Sequence, residues 1–235
     1  MHDSPSAAPV RRCGASFLPW NDRRRPLSTF ALDQVWRLIP HLIYLRIDVQ
    51  HGPEEVAREL DVLYGRMNTP GDAMYGMPVV GTDMPGLVLR YREADGEYYV
   101  YVEDVAMKRL AGYTVFNRLI EVSRRADPYV RAPHSKYALG YQGRGLSTSI
   151  YEWALNAGLC LLSGARQSVG AHALWRSLAR RYELGYVDLR RKRMTYLGDR
   201  VSESVLNDLH TRMFLLGRGW TREAFARATQ MAGVG

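Results

Sequence analysis

The feature that most constrains the fold is a run of closely spaced glycines that leads into an amphipathic helix, within residues 139–154. Gly140, Gly143 and Gly145 allow the backbone to turn tightly and to approach a ligand without Cβ clashes. The apolar residues of the next segment recur at helical spacing on one face: Leu146, Ile150, Trp153, Ala154 and Ala157. Because the first amides of a helix lack internal acceptors and lie at the positive end of its dipole, this stretch predicts a site for an anion such as a phosphate group.

The spacing of the glycines excludes three common motifs. A P-loop needs a Lys after its last glycine, and a nucleophile elbow needs a glycine where Ser149 stands. A dinucleotide-binding motif needs a third glycine at Thr148 and an acidic residue about 20 positions later, where the chain has no carboxylate. The pattern that fits is (Gln or Arg)-x-x-Gly-x-(Gly or Ala), over residues 142–147, with Ser147 at the last position. A glycine-rich turn before an ordinary helix is the alternative interpretation.

Composition limits the class of protein. The 235 residues are 46% hydrophobic and 24% charged, which is enough for a sizeable core in one large or two small domains. The sequence has no apolar run as long as a membrane helix and no signal-peptide pattern, so we expect a cytoplasmic protein without a membrane partner. Cys13 and Cys160 are too few for a disulfide or zinc framework, and no metal site is predicted.

The net charge of +8 favours anionic partners, whether nucleotide phosphates, nucleic acid or an acidic protein surface. Residues 1–27 are rich in Pro, Ser and Arg, and we interpret them as a flexible, solvated basic arm. A basic nucleic-acid-binding protein is the alternative from another functional class. No recognisable nucleic-acid-binding motif supports it, and Tyr98, Tyr99 and Tyr101 alternate between two sheet faces as in a packed meander.

Hydrophobic periodicity and turn residues predict the order of elements. Before residue 87 we expect helices at 29–37 and 54–66, a short extended run at 42–49 and a long loop at 67–86. Strands are predicted at 87–92, 97–103, 111–120, 129–139, 159–162, 184–189 and 194–197. The first four strands form an antiparallel meander. The fourth, fifth and sixth strands are separated by two helices, one directly after the glycine loop and one through residues 171–182, and the last strand follows a tight turn. The predicted fold class is therefore α/β, with a mixed sheet covered by helices.

The last part of the chain is predicted to be helical. Val205, Leu209 and Met213 indicate a short amphipathic helix, and another helix begins at Thr221 with a capping acid at Glu223. We therefore divide the chain into the basic arm at 1–27, a main domain at 28–198 and a C-terminal helical extension at 199–235.

The succession of meander, glycine loop, helix, buried strand, second helix and closing hairpin resembles the GNAT family of N-acetyltransferases over roughly residues 85–198. The hexapeptide at 142–147 resembles that family's pyrophosphate loop. Short phrases at 132–136, 150–155 and 173–175 resemble GNAT-like proteins encoded by tailed bacteriophages, which implies the cytoplasm of a bacterial host. The resemblance implies that the strand before the glycine loop splays from its neighbour and leaves a V-shaped cleft for pantetheine.

The resemblance also implies that the chain binds acetyl-CoA or coenzyme A and transfers an acetyl group to an amine of an acceptor, such as a bacterial host protein. Carried over residue by residue, it assigns these cofactor-binding positions: Leu139, Gln142, Gly143, Arg144, Gly145, Leu146, Ser147, Thr148, Ser168 and Trp175.

The chain departs from the family where a catalytic Tyr and an Asn are usual, since Trp175 and Ser168 occupy those positions. Tyr182, later on the same helix, is a candidate acid, with packing as its alternative role. His134, on the strand before the loop, is a candidate base, with a structural role as its alternative. A thiol with an ordinary pKa of about 8.5 leaves readily as a thiolate, so we expect an active enzyme. The alternative is a catalytically weak CoA-binding module that acts by binding another protein.

Overall fold

A mixed sheet organises residues 52–81 and 84–234, which are the residues that the computed structural model describes. Its strands are β1 Val79–Val80, β2 Leu87–Ala94, β3 Glu97–Asp104, β4 Arg109–Asn117, β5 Val130–Tyr137, β6 Cys160–Leu162, β7 Leu184–Arg190, β8 Arg193–Gly198 and β9 Thr211–Leu215. The helices are α1 Pro53–Met67, α2 Leu146–Asn156, α3 Val169–Leu178, α4 Glu203–Leu206 and α5 Arg222–Thr229. The spatial order of the strands is β1-β2-β3-β4-β5-β6-β9-β7-β8. The predicted α/β class with a mixed sheet is confirmed.

The antiparallel meander from β2 to β5 matches its prediction. β2 and β3 pair along their whole length, and the turn between them places Asp95 and Gly96 at φ values of 54° and 74°. A two-residue hairpin turn follows the twist of its strands only when both turn residues have positive φ. Asp and Gly adopt positive φ more readily than most residues, so Asp-Gly is suited to this turn. The strong local turn signal explains why this part could be predicted.

The pairing of β5 with β6 ends early. The two strands are parallel and pair only at Val130 with Cys160 and at Arg131 with Leu161, whereas β5 continues to Tyr137 alongside β4. The amide of Cys160 donates to the Tyr129 carbonyl at 2.9 Å, so the odd-numbered residues of β5 direct their backbone groups towards β6. Pro133 is the next odd residue, and it has no N–H to donate. The ladder therefore ends where a proline removes a donor, and the predicted splay at this position is present.

Helices cover the two faces of the meander side of the sheet. On one face α1 packs Leu60 against Tyr113 and Val115 of β4, and the Glu59 carboxylate accepts hydrogen bonds from the Tyr113 hydroxyl (2.5 Å) and the Lys136 ammonium (2.7 Å). On the other face α2 and α3 bury these residues against β3, β4 and β6: Leu146, Ile150, Tyr151, Leu155, Trp175 and Leu178. The glycine loop is thereby held at the end of β5, on the face covered by α2.

The predicted helix through residues 205–213 is wrong beyond Leu206. α4 ends at Leu206, and Met213 lies in β9, which pairs antiparallel with both β6 and β7 inside the sheet. All five residues of β9 are buried, so neither face of the strand is exposed and its sequence lacks the alternation that marks a half-buried strand. The segment predicted as an appended helical extension thus supplies part of the central sheet. The helix predicted from Thr221 is confirmed as α5, and the Thr221 hydroxyl accepts from the Ala224 amide at 3.2 Å.

The predicted long loop at 67–86 contains the two-residue strand β1, and Met74 and Met77 are buried in the cluster under α1. Our predictions for the basic arm at 1–27 and for the elements at 29–37 and 42–49 lie outside the described residues. Among the helices that are described, none is long and apolar enough to cross a membrane.

Replacement of Gly112 tests how tightly β4 and the end of β5 are joined. A Cβ at Gly112 would overlap the Tyr137 ring and the Lys136 carbonyl and would lie 2.7 Å from the Tyr137 Cα. We expect Gly112→Ala to lower the free energy of unfolding by about 1–3 kcal/mol, because backbone atoms must move to make room. Gly65→Ala is the matched control, since its Cβ would meet nothing within 4 Å and alanine is the better helix former. Urea denaturation measures both, and equal stability of the two variants would contradict the expectation.

Candidate functional site

The glycine loop is open on its outer side. It begins with a 3₁₀ turn at Leu139–Tyr141 and continues to Gly145, which is the N-cap of α2. Gly143 and Gly145 have φ values of 72° and 79°, in the left-handed region that favours glycine. A Cβ added at either position would meet nothing within 4 Å. The two glycines are therefore required by backbone conformation, and the space in front of them is free of protein atoms from the described chain.

The start of α2 presents backbone amides to this open loop. The Ser149 amide donates to the Gly145 carbonyl at 3.0 Å, so the amides of Leu146, Ser147 and Thr148 precede the first bond within the helix. The N-cap is a glycine without a side chain to cap them, and the first turn has no acidic residue. Free amides at the positive end of a helix dipole are the arrangement that binds phosphate groups. The predicted anion site therefore has suitable geometry.

Three hydrogen bonds hold the loop in place. Gln142 Nε2 donates to the Tyr137 carbonyl at 3.0 Å, so this side chain braces the loop from within. The hydroxyl of Tyr141 donates to the Asp104 carboxylate at 2.5 Å and accepts from Arg109 Nε at 3.1 Å. The hydrogen bond from Tyr141 lowers the pKa of Asp104, which therefore remains ionised. The loop is thus tied to the turn between β3 and β4.

Two arginines add positive charge beside the loop. The guanidinium carbons of Arg109 and Arg144 lie 5.2 and 4.9 Å from the centre of the Tyr141 ring. The backbone of Arg144 belongs to the loop itself, and its side chain is exposed. Leu139 is 70% exposed at the start of the turn, so it offers an apolar surface next to the cationic one. A ligand that joins an anionic group to an apolar group matches this pairing.

A row of hydroxyl groups, which we call the hydroxyl row, lies between β5 and α2. Its members are Thr114, Ser135, Tyr137, Ser147 and Tyr151. Thr114 Oγ1 lies 2.8 Å from Ser135 Oγ and 3.1 Å from the Tyr137 hydroxyl, and the Ser147 hydroxyl also bonds to Tyr137. Ser135 Oγ donates to the Tyr151 hydroxyl at 3.4 Å. Burial raises the pKa of Tyr137 and raises that of Tyr151 to about 12, so both phenols stay protonated at neutral pH.

The two positions that depart from the family pattern have structural roles. Ser168 is the N-cap of α3, and its hydroxyl accepts from the Ala171 amide at 3.1 Å. Trp175 is only 3% exposed, and its ring packs edge-on against Tyr151 with 6.5 Å between the ring centres. Both residues therefore contribute to the folding and packing of α3, and their predicted contact with a cofactor stays a prediction.

The structure does not bring the two predicted catalytic residues to the glycine loop. The Tyr182 hydroxyl donates to Asn156 Oδ1 at 2.9 Å, at the last residue of α2 and about 15 Å along that helix from its start. His134 is exposed on β5, and strand alternation places its side chain on the α1 face with Lys136, opposite Ser135. Catalytic roles for Tyr182 and His134 stay predictions without support from this geometry.

Sequence reasoning missed most of the side chains that shape the site. Tyr141, Asp104 and Arg109 come together from two separated parts of the chain, and no local pattern indicates that contact. A signal was available for Ser135 and Tyr137, because hydroxyl residues two positions apart in a strand share one face. Their nearness to the glycines could have marked that face of β5 as part of the site.

Comparisons with known proteins add two structural neighbours. No protein-family model matches the chain, and no curated protein matches it. Two solved structures, both chimeras of the spermidine N-acetyltransferase SpeG from Vibrio cholerae and hSSAT, are similar in part. The first is 18% identical, with a TM-score of 0.30, over 52% of this chain and 68% of its own. The second is 19% identical, with a TM-score of 0.29, over 53% and 68%. Similarity at this level leaves the function to be argued from the site's own geometry.

Proposed function

We propose that the protein is an N-acetyltransferase that uses acetyl-CoA as the acetyl donor. One observation carries the proposal: the splayed end of β5 leads directly into an open glycine loop and an uncapped helix start. The splay leaves strand backbone without a neighbour, and the helix start leaves amides without acceptors. A long ligand with amide groups at one end and phosphates at the other complements both.

The phosphate end of CoA fits the loop. Its pyrophosphate would accept hydrogen bonds from the amides between Gly143 and Thr148, where the helix dipole also favours negative charge. Arg144 and Arg109 supply cationic side chains next to these amides. The chain's net charge of +8 is consistent with an anionic ligand. Leu139, exposed beside the loop, offers an apolar contact to the rest of the nucleotide.

The pantetheine end fits the strand. Ser135 and Tyr137 are odd-numbered residues of β5, so they direct their backbone groups away from β4 and into the splay. The amides of pantetheine can pair with the Ser135 backbone as a neighbouring strand would. The Tyr137 carbonyl already accepts from Gln142, which limits how far along β5 such pairing extends. This arrangement would position the thioester near the narrow end of the splay, towards Pro133.

The reaction needs little beyond positioning. An amine nitrogen attacks the thioester carbonyl carbon, the carbon–sulfur bond breaks, and the nitrogen loses a proton to water or a base. Holding the two reactants together supplies a large part of such a rate enhancement. The acceptor and its location are inferred only from short phrases that resemble phage proteins. An amine of a bacterial host protein in the cytoplasm is accordingly the first acceptor to test.

The tyrosines of β3 argue against the nucleic-acid-binding alternative. Tyr98 packs against Tyr91 and lies under the Arg131 guanidinium, with 5.1 Å from that group's carbon to the ring centre. On the other face Tyr99 and Tyr101 stack on each other with 6.3 Å between ring centres, and Tyr101 is buried. These rings are occupied in packing and offer no row of exposed faces on which bases could stack.

Calorimetry with CoA tests the binding step. We expect the unaltered protein to bind CoA and Gly145→Asp to bind it roughly 10- to 100-fold more weakly, because a carboxylate would lie beside the pyrophosphate. Gly219→Asp is the matched control, since Gly219 also has a positive φ and open space around its Cβ position. It adjoins Arg218, whose amide donates to Leu155 at the far end of α2. The proposal is contradicted if the unaltered protein gives no heat of binding at high-micromolar CoA. It is also contradicted if Gly145→Asp and Gly219→Asp bind CoA with equal affinity.

Transfer of labelled acetyl groups separates an enzyme from a binding module. The second function is favoured by one observation, the engagement of Ser168, Trp175 and Tyr182 in structural contacts. We expect incubation with labelled acetyl-CoA and a bacterial lysate to label a defined protein or metabolite, and the label to vanish with Gly145→Asp. A stable protein partner retained by both forms, without transferred label, would instead indicate the module.

A further inference from the structure

We propose that Tyr151 donates a hydrogen bond, and then its proton, to the sulfur of CoA as the acetyl group leaves. The inference rests on the proposed acetyl-CoA-dependent function and assigns a catalytic residue on α2, a different helix from the one that carries Trp175. Tyr151 belongs to the hydroxyl row, whose side chains have no other part in the proposed mechanism.

Tyr151 lies directly over the strand that borders the splay. Ser147 and Tyr151 are four residues apart on α2 and therefore share one face of the helix. Ser147 bonds to Tyr137, and Tyr151 bonds to Ser135, so this helix face follows β5. The backbone of Ser135 points into the splay, where the pantetheine would lie. The phenol is accordingly held beside the part of β5 that has lost its neighbouring strand.

The Tyr151 hydroxyl has one hydrogen-bond contact among residues 52–81 and 84–234. Its partner is Ser135 Oγ, and at 3.4 Å the contact is long for a bond between hydroxyl groups. Tyr151 is 5% exposed, so solvent adds little to that one contact. A buried phenol with a single long hydrogen bond is poorly satisfied, and such a group in a native fold needs an explanation. A ligand atom in the splay that accepts this proton supplies one.

Packing holds the ring in place. The Tyr151 ring lies 6.0 Å from that of Phe116 and 6.5 Å from that of Trp175, measured between ring centres. Both neighbours are apolar and buried, so the phenol cannot swing to another partner. In this arrangement Trp175 does not react but fixes the group that does. Its indole occupies the place of a family acid and supports a hydroxyl that comes from α2.

In the proposed step one proton moves to the sulfur and one leaves the amine nitrogen. The amine nitrogen bonds to the carbonyl carbon, the carbon–sulfur bond breaks, and its electron pair stays on sulfur. The Tyr151 hydroxyl gives its proton to that sulfur, and the phenolate regains one from the nitrogen through water. Ser135 Oγ, which donates to the phenol oxygen, stabilises the transient phenolate. Because burial keeps the phenol protonated at neutral pH, Tyr151 is a donor and not the base.

The ionisation of bound CoA tests the contact without any acceptor. The pKa of the bound thiol is measured from the NMR chemical shift of an isotope-labelled carbon beside the sulfur. We expect this pKa to be about 1–2 units higher in Tyr151→Phe than in the unaltered protein, because a hydrogen bond to a charged group is lost. Calorimetric affinity for CoA at neutral pH should stay within about twofold, since the phosphate and strand contacts remain.

Tyr196→Phe is the matched control. The Tyr196 hydroxyl is also buried and has no hydrogen-bond partner in the described part of the chain, but it belongs to β8 at the far edge of the sheet. This variant should leave the bound thiol's pKa unchanged. Once an acceptor is known, we expect kcat of Tyr151→Phe to be roughly 10- to 100-fold lower than that of the unaltered protein, with an unchanged KM for acetyl-CoA.

The outcomes separate the two proposals. If CoA binds and the thiol's pKa is the same with and without the Tyr151 hydroxyl, the inference is overturned and the proposed function stands. If the Phe variant of Tyr196 shifts the thiol's pKa as much as that of Tyr151, a general packing effect replaces the inference. Failure of the unaltered protein to bind CoA overturns both.

Discussion

The early end of the β5–β6 ladder is the constraint on which the site depends. Two paired positions hold the strands together at their start, and Pro133 then offers no donor where the next bond to β6 would form. From there β5 is paired on one edge only, by β4, and its other edge needs partners that the described chain does not provide. In most sheets such an edge lies at the outside. Here it is internal, which is why we propose it as a binding groove for an extended ligand with amide groups.

Three kinds of polar group with spare hydrogen-bonding capacity lie along this opening: strand backbone at Ser135, helix amides at the start of α2, and the phenol of Tyr151, whose one contact is long. Each alone is ordinary, since helix ends and strand edges always leave groups unpaired. One extended molecule with phosphates, amides and a sulfur can satisfy all three at once, which is why the functional proposal depends on the arrangement more than on any single residue.

The sequence predicted what local signals determine. Asp95-Gly96 specified the first hairpin, and the glycines before Leu146 specified the start of α2, because turns with positive φ restrict which residues can form them. It did not predict β9, whose five residues are buried on both faces and do not alternate between apolar and polar, and whose partner β6 is distant in the chain. The contact of Tyr141 with Asp104 and the hydroxyl row were missed for the same reason: they join elements that only the tertiary fold brings together.

In the proposed enzyme, Trp175 at the position where the resembling family has a Tyr need not remove the chemistry, because a cleft between two strands and two helices can receive a hydroxyl from either helix. α2 and α3 lie on the same face of the sheet, and their side chains meet where Tyr151 touches Trp175. The Trp175 ring from α3 packs edge-on against the Tyr151 phenol from α2. In the proposed mechanism, the indole on α3 and the proton donor on α2 therefore belong to one packing arrangement, and a change in either ring would move the other.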